Sequence, residues 1–227
     1  MPAARTSALI CLGLPLLLHA QSPAGSADPI SNDRIFGVIP NFQTVSDPNQ
    51  TYEPLRVRDK WKLFVKESVD PFTFASAAGG AALSQIDNDN PKYGYGIQPY
   101  LQRFGAAQAD ITTQNFFGDF VLASLLKEDP RYFRKGPSSR VMTRVAYALS
   151  RVVVTRRDSG RDTFNFAGVL GMGMGIALSD AYYPPGSVGG GELESRVITS
   201  LAASAFGNLL PEFWPDIRQK LGRHKRP

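Results

Sequence analysis

Five arginines carry the most distinctive polar chemistry in this sequence. Arg131 and Arg134 bracket an aromatic pair in Asp129-Pro130-Arg131-Tyr132-Phe133-Arg134-Lys135-Gly136, and Arg140, Arg144 and Arg151 recur downstream at helical spacing. A guanidinium fork grips a carboxylate or phosphate bidentately, so these five form a candidate anion-binding set. At about 100° per residue, Arg140, Arg144, Tyr147 and Arg151 fall on one face, opposite Val141, Val145, Leu149, Val152 and Val153. Two readings stand. The helix packs through its valines and leaves a solvated or acid-paired arginine face, or that face attaches to anionic lipid or another polyanion. The 129–136 loop divides in the same way, between an anion grip and a capped turn in which Arg131 meets a helix C-terminus.

A second polar group lies upstream. Asp110, Gln114 and Asn115 stand in a small and apolar stretch, which predicts a buried, hydrogen-bonded cluster with Asp110 pairing to an arginine inside the bundle. Asp119, nine residues after Asp110, turns to the opposite side of that helix, so the two cannot form a dyad on it.

What the chain lacks is equally informative. Its one cysteine is Cys11 and its two histidines are His19 and His224. Residues 1–20 read as a secretory signal, with Arg5 in the basic end, an apolar run from about Ala8 to Leu18, and Ala20 before the cleavage point. Its removal leaves a body with no thiol and no histidine outside the basic tail. Ser-His-Asp and Cys-His catalysis, histidine-bound zinc or copper, and disulfides are thereby excluded, and no cofactor or metal motif replaces them. Carboxylate pairs, Ser-Lys arrangements, tyrosine or arginine electrostatics and carboxylate-bound calcium or magnesium remain.

The formal charge of +5 is concentrated at the ends. Of 25 basic residues, Arg5, Arg218, Lys220, Arg223, Lys225 and Arg226 lie outside 21–217, which leaves 19 basic against 20 acidic side chains there. Nucleic acid is therefore not an expected partner, and the tail 218–227 reads as a flexible basic extension suited to an anionic envelope surface or lipid.

Helices must position these groups. The expected architecture is all-α, a compact bundle of about five to six Gly/Ala-rich helices over residues 55–217, preceded by an extended proline-containing arm at 21–54. Helices are predicted over about 56–69, 71–86, 97–128, 138–155, 164–183 and 192–210, the last stopped by Pro211. In the first, Val57, Trp61, Phe64 and Val65 share the expected buried face. Asp70-Pro71 opens the second as an N-cap followed by proline. Small residues recur four apart, and Gly80, Gly171, Gly175, Ala203 and Gly207 are the candidate helix-packing positions, within the chain or between copies in a homo-oligomer. Four glycines between 168 and 175 cost roughly 3–4 kcal/mol of helix propensity, which close helix approach must offset.

The segments Arg34-Ile35-Phe36-Gly37-Val38-Ile39-Pro40-Asn41-Phe42, Asp129 to Arg134, Asn165, Ala181-Tyr182-Tyr183-Pro184 and Glu212-Phe213-Trp214-Pro215-Asp216 resemble a family of uncharacterised exported bacterial proteins. The resemblance runs from about Arg34 to Ile217 and implies a bacterial envelope setting and one intact unit. It implies no catalytic residue.

The functional expectation is an exported protein of the periplasm or outer envelope, structural or binding instead of enzymatic, and soluble or peripherally membrane-associated. One alternative is a carboxylate- or Ser-Lys-dependent hydrolase acting on an envelope polymer or lipid. The other is an oligomeric membrane-inserted protein, although the apolar stretches of 13–15 residues fall short of the roughly 20 that a span needs.

Overall fold

The computed structural model describes residues 30–88 and 91–223. The expected signal segment 1–20 with Cys11 and His19, and the end of the tail with His224, lie outside the described residues.

The described part of the arm contains a hairpin of β1 (Arg34–Ile35) and β2 (Ile39–Pro40), whose turn holds Phe36 and Gly37 at positive φ, 52° and 74°. Phe36 adopts this costly conformation while its ring lies 4.5 Å from that of Trp214, centroid to centroid. β3 (Thr44–Val45) then pairs in parallel with Tyr132–Phe133. The arm is therefore stitched into the body by main-chain hydrogen bonds, and its Ile30, Phe42 and Leu55 form a buried apolar cluster with Leu63.

α1 (Val57–Ser68) packs on a face that keeps Phe64 of the expected set but is turned away from Val57. Lys60, Leu63 and Phe64 are buried, while Val57 and Trp61 are 57% and 44% exposed. The cause is Lys60, whose Nζ donates to the Ala123 carbonyl and to both Asp158 carboxylate oxygens at 3.1 Å, rotating a charged residue inward. α2 (Pro71–Asp87) starts as its sequence dictates: Asp70 accepts the Phe72 N–H at 2.8 Å, and Pro71 has no N–H to satisfy. Asp70 also pairs with Arg34, tying the hairpin to the α1–α2 junction.

The expected long third helix runs without interruption from Ile97 to Leu125, with a π-helical stretch inside it. α3 (Ile97–Asn115) passes into a π-helical segment (Phe116–Leu122) and a single turn, α4 (Ala123–Leu125). β4 (Glu128–Asp129) and β5 (Tyr132–Phe133) follow, then α5 (Val141–Ser150). Where helix was expected up to Thr155 and again from Phe164, the chain forms a hairpin of β6 (Val154–Arg157) and β7 (Asp162–Phe164), turning at Gly160 with φ 82°. The run Val152-Val153-Val154-Thr155 is β-branched throughout, which favours the strand. β4 adds to this hairpin as a third strand. The protein is thus mostly helical with small sheets, and the all-α expectation is corrected to that extent.

α6 (Phe166–Ser179) and α7 (Gly190–Gly207) are followed by α8 (Leu209–Arg223), which continues past the expected stop. Pro211 lies in its first turn, where no intrahelical N–H bond is lost. α8 also takes in Arg218 and Lys220, which the sequence reading assigned to a flexible tail.

α3 lies between α2 and α6, and α6 packs on the π segment and α7, while α5, α7 and α8 meet at one corner. α1 closes on the π segment through Trp61, Phe64, Phe116 and Phe120. No helix among the described residues is long and apolar enough to cross a membrane.

Candidate functional site

The helical face of arginines points inward. Arg144 and Arg151 are buried, while Val141 is 61% and Val153 37% exposed, the reverse of a valine-packed helix. Acids waiting in the interior explain the inversion. Glu212, on α8 and inaccessible to solvent, accepts from the Tyr132 hydroxyl at 2.8 Å, Arg144 Nε at 2.7 Å, and the N–H groups of Lys135 and Gly136 at 2.9 and 3.2 Å. Its main-chain carbonyl takes Arg134 Nε and Arg144 Nη2, both at 2.8 Å. Asp216, one turn on, pairs with Arg134 and with Arg144 Nη1 at 2.7 Å. Burial pulls the Asp216 carboxyl upward, but hydrogen bonds and charge from Arg144 and Arg134 hold it below the usual range. Burial, and then the bond to Glu212, push the Tyr132 hydroxyl up.

Arg131 has a separate counter-ion. Its Nε and Nη2 clamp the fully buried Asp129 at 3.0 and 2.7 Å, and Nη2 also reaches the Glu53 carbonyl at 2.6 Å. Tyr52 donates to the same carboxylate at 3.1 Å. Arg140 is exposed at the N-cap of α5. The five arginines therefore do not converge on one anion: Arg131, Arg134 and Arg144 are consumed by internal acids, and Arg151 stands apart.

Arg151 borders a cleft of about 260 Å³ between the π segment, the N-terminal turn of α6 and the end of α7. Gln43, Asp119, Asn165 and Asn208 line both this cleft and a recess of about 90 Å³ that reaches Glu128. Gln43 Nε2 donates to Asp119 at 2.9 Å and to Glu67 at 2.7 Å, so one amide bridges two half-buried carboxyls. Burial pushes Asp119 up to about 7 despite that bond. Burial, and then the charge of Asp119, raise Glu67 well above the usual range. Asn165 caps α6, accepting the Gly168 N–H at 2.8 Å. Glu128 Oε2 accepts from Ala167 N–H at 2.9 Å, placing a carboxylate at the positive end of the α6 dipole. Burial still raises the Glu128 carboxyl.

The other expected cluster is dispersed. Asp110 is half-buried and accepts from the Tyr182 and Tyr183 hydroxyls at 2.7 and 2.5 Å, where an arginine partner was expected. Arg196 acts on it only through its charge. Gln114 packs beneath Gly175, where a β-carbon would come within 2.5 Å of its Cγ, and Asn115 lines the cleft. Gly171 and Gly175 do admit a close neighbour: a β-carbon on Gly171 would collide with the Gly118 backbone. Gly80 and Gly207 face open space and Ala203 is exposed, so these three pack no neighbouring helix of the same chain.

Sequence reasoning missed Asp119, Glu128, Gln43, Glu67 and Glu212. Asp119 was assigned only by its angle relative to Asp110, and its partners come from α1 and the arm. Glu212 carried one local signal, an acid beside Phe213, Trp214 and Pro215. Among the described residues no three His, Cys, Asp or Glu side chains gather as metal ligands. No family model, no curated protein and no solved structure matches the chain.

Proposed function

We propose that this is an exported bacterial envelope protein with a structural or binding role, held peripherally on an anionic lipid surface. The observation that carries the reading is the outer stripe of α6. Phe166, Leu170, Met174 and Leu178, four residues apart, are 46%, 51%, 44% and 45% exposed on a 14-residue helix that holds no charged side chain. A helix apolar all round belongs inside protein or against lipid, and a contiguous exposed apolar patch marks an interaction surface. α8 supports the anionic part: Ile217 and Leu221, 42% and 56% exposed, lie one turn apart and are flanked by Arg218 and Lys220, the pattern of an interfacial helix. The sequence reading of residues 1–20 supports export.

Co-sedimentation with lipid vesicles tests this. The protein is expected to pellet with anionic vesicles, less with zwitterionic ones, and to be released by salt. Recovery in the supernatant with both overturns the reading, and a stable dimer in the same samples assigns the α6 stripe to a second copy. One observation favours the hydrolase alternative: Asp119, poised near neutral pH, opens onto a cleft that also borders Arg151.

A further inference from the structure

The cleft and its recess expose two buried groups that the fold leaves open. Arg151 has a side chain only 4% exposed; its guanidinium lies 5.2 Å from the centre of the Tyr147 ring, Nη1 meets Asp162 at 3.2 Å, and Nη2 has no hydrogen-bond partner among the described residues. Glu128 is 1% exposed and its Oε1 is likewise unpartnered. Both line the same recess of about 90 Å³, which opens into the larger cleft through shared walls. An unpaired buried guanidinium N–H and an unpaired buried carboxyl oxygen are each costly, so a molecule that supplies one acceptor and one donor is favoured there.

We propose that this cleft binds a small organic carboxylate that also carries a hydroxyl or amino group. The ligand carboxylate accepts from Arg151 Nη2, in a charge-assisted bond sheltered from water. Its hydroxyl or amino group donates to Glu128 Oε1. Val152, Met172 and Leu201 offer apolar walls to the carbon skeleton, and Asn208 stands at the rim of both chambers. Asp129, which also lines the recess, is already satisfied by Arg131 and Tyr52 and so leaves the orienting role to Glu128. A phosphate fits this charge pattern poorly, because Asp119 and Glu128 face the same space and a dianion would meet both. A volume of about 260 Å³ lies below the range of drug-sized pockets and suits a compact ligand. The site is independent of the apolar stripe on α6, so loss of vesicle binding leaves it untouched.

Titration calorimetry on the full chain tests it, with lactate, glycine, inorganic phosphate and glycerol as probes. Saturable binding of lactate or glycine is expected, with none for glycerol and weaker binding for phosphate. Arg151→Gln is expected to weaken binding at least about tenfold. Since Arg151 also pairs with Asp162, Leu201→Trp provides a second variant that fills the cleft and keeps both charges; it is expected to abolish binding with an unchanged helical spectrum. Absence of saturable binding by lactate and glycine, phosphate binding tighter than either, or full affinity retained in both variants overturns the proposal.

Discussion

The corner where α5 and α8 meet and the layer of α2, α3 and α6 solve opposite problems. At the corner, Arg134, Arg144, Glu212 and Asp216 lie inside and satisfy one another, while Val141 and Met142 stay outside at 61% and 75% exposure. In the layer, Ala77 and Ala81 of α2 are buried and Gly175 of α6 meets Gln114 of α3, while Leu83, Leu170 and Met174 are turned outward. Directional ionic bonds specify one arrangement of the corner. The layer gets its contacts from small residues and leaves its larger apolar surface available to something else.

The sharpest way to break this contrast is to remove one acid. Glu212→Ala leaves the buried Arg144 short of a counter-ion and orphans the Tyr132 hydroxyl and two backbone N–H groups, so a loss of about 3–5 kcal/mol is expected in urea denaturation. A loss below about 1 kcal/mol would place the weight of the corner elsewhere.

Glycine substitutions sharpen the other side. Gly171→Ala drives a methyl into the Gly118 backbone and is expected to cost about 1–3 kcal/mol. Gly80→Ala meets open space on an exposed helix surface and is expected to gain about 0.5–1 kcal/mol, measured by the same unfolding curves. Equal effects would mean that neither helix packs as described.

Acidity separates the corner from the cleft on the π segment with opposite signs. Asp119 has its folded pKa raised to about 7 from an unfolded value of about 3.9, so the native state binds more protons between those limits and stability falls as pH rises through them. Asp119→Asn is expected to flatten that slope. Asp216 has its folded pKa lowered, so its contribution is present above about pH 4 and is lost on further acidification. Asp216→Asn is expected to weaken only the acid limb of a stability profile followed by circular dichroism.

Helix boundaries set by local chemistry were legible in the sequence. Asp70-Pro71 opened α2 as its residue types require, and Pro211 was visible as punctuation although it begins a helix instead of ending one. What could not be read was which face of a charged helix turns inward. Lys60 and Arg144 break the apolar-inside pattern because their acids arrive from 98 and 68 residues away. The Glu67–Gln43–Asp119 bridge joins three separate segments and leaves no periodic trace. The β4–β6–β7 sheet was partly visible in its β-branched run, but a two-residue strand such as β4 has no pattern of its own.

The smallest expected effect on stability falls on the outer stripe. Leu170→Ser is expected to change unfolding by no more than about 0.5–1 kcal/mol, since the residue is already 51% exposed. Its effect on lipid should be larger, and this is the measurement that bears most directly on the account. A tryptophan placed at Leu170 in a background with both native tryptophans, Trp61 and Trp214, replaced by phenylalanine reports alone through quenching by brominated anionic lipids, since Trp214 stands on α8 within a turn of Ile217. Strong quenching at position 170 is expected; an unquenched position 170 in vesicle-saturated protein would contradict attachment through the α6 stripe.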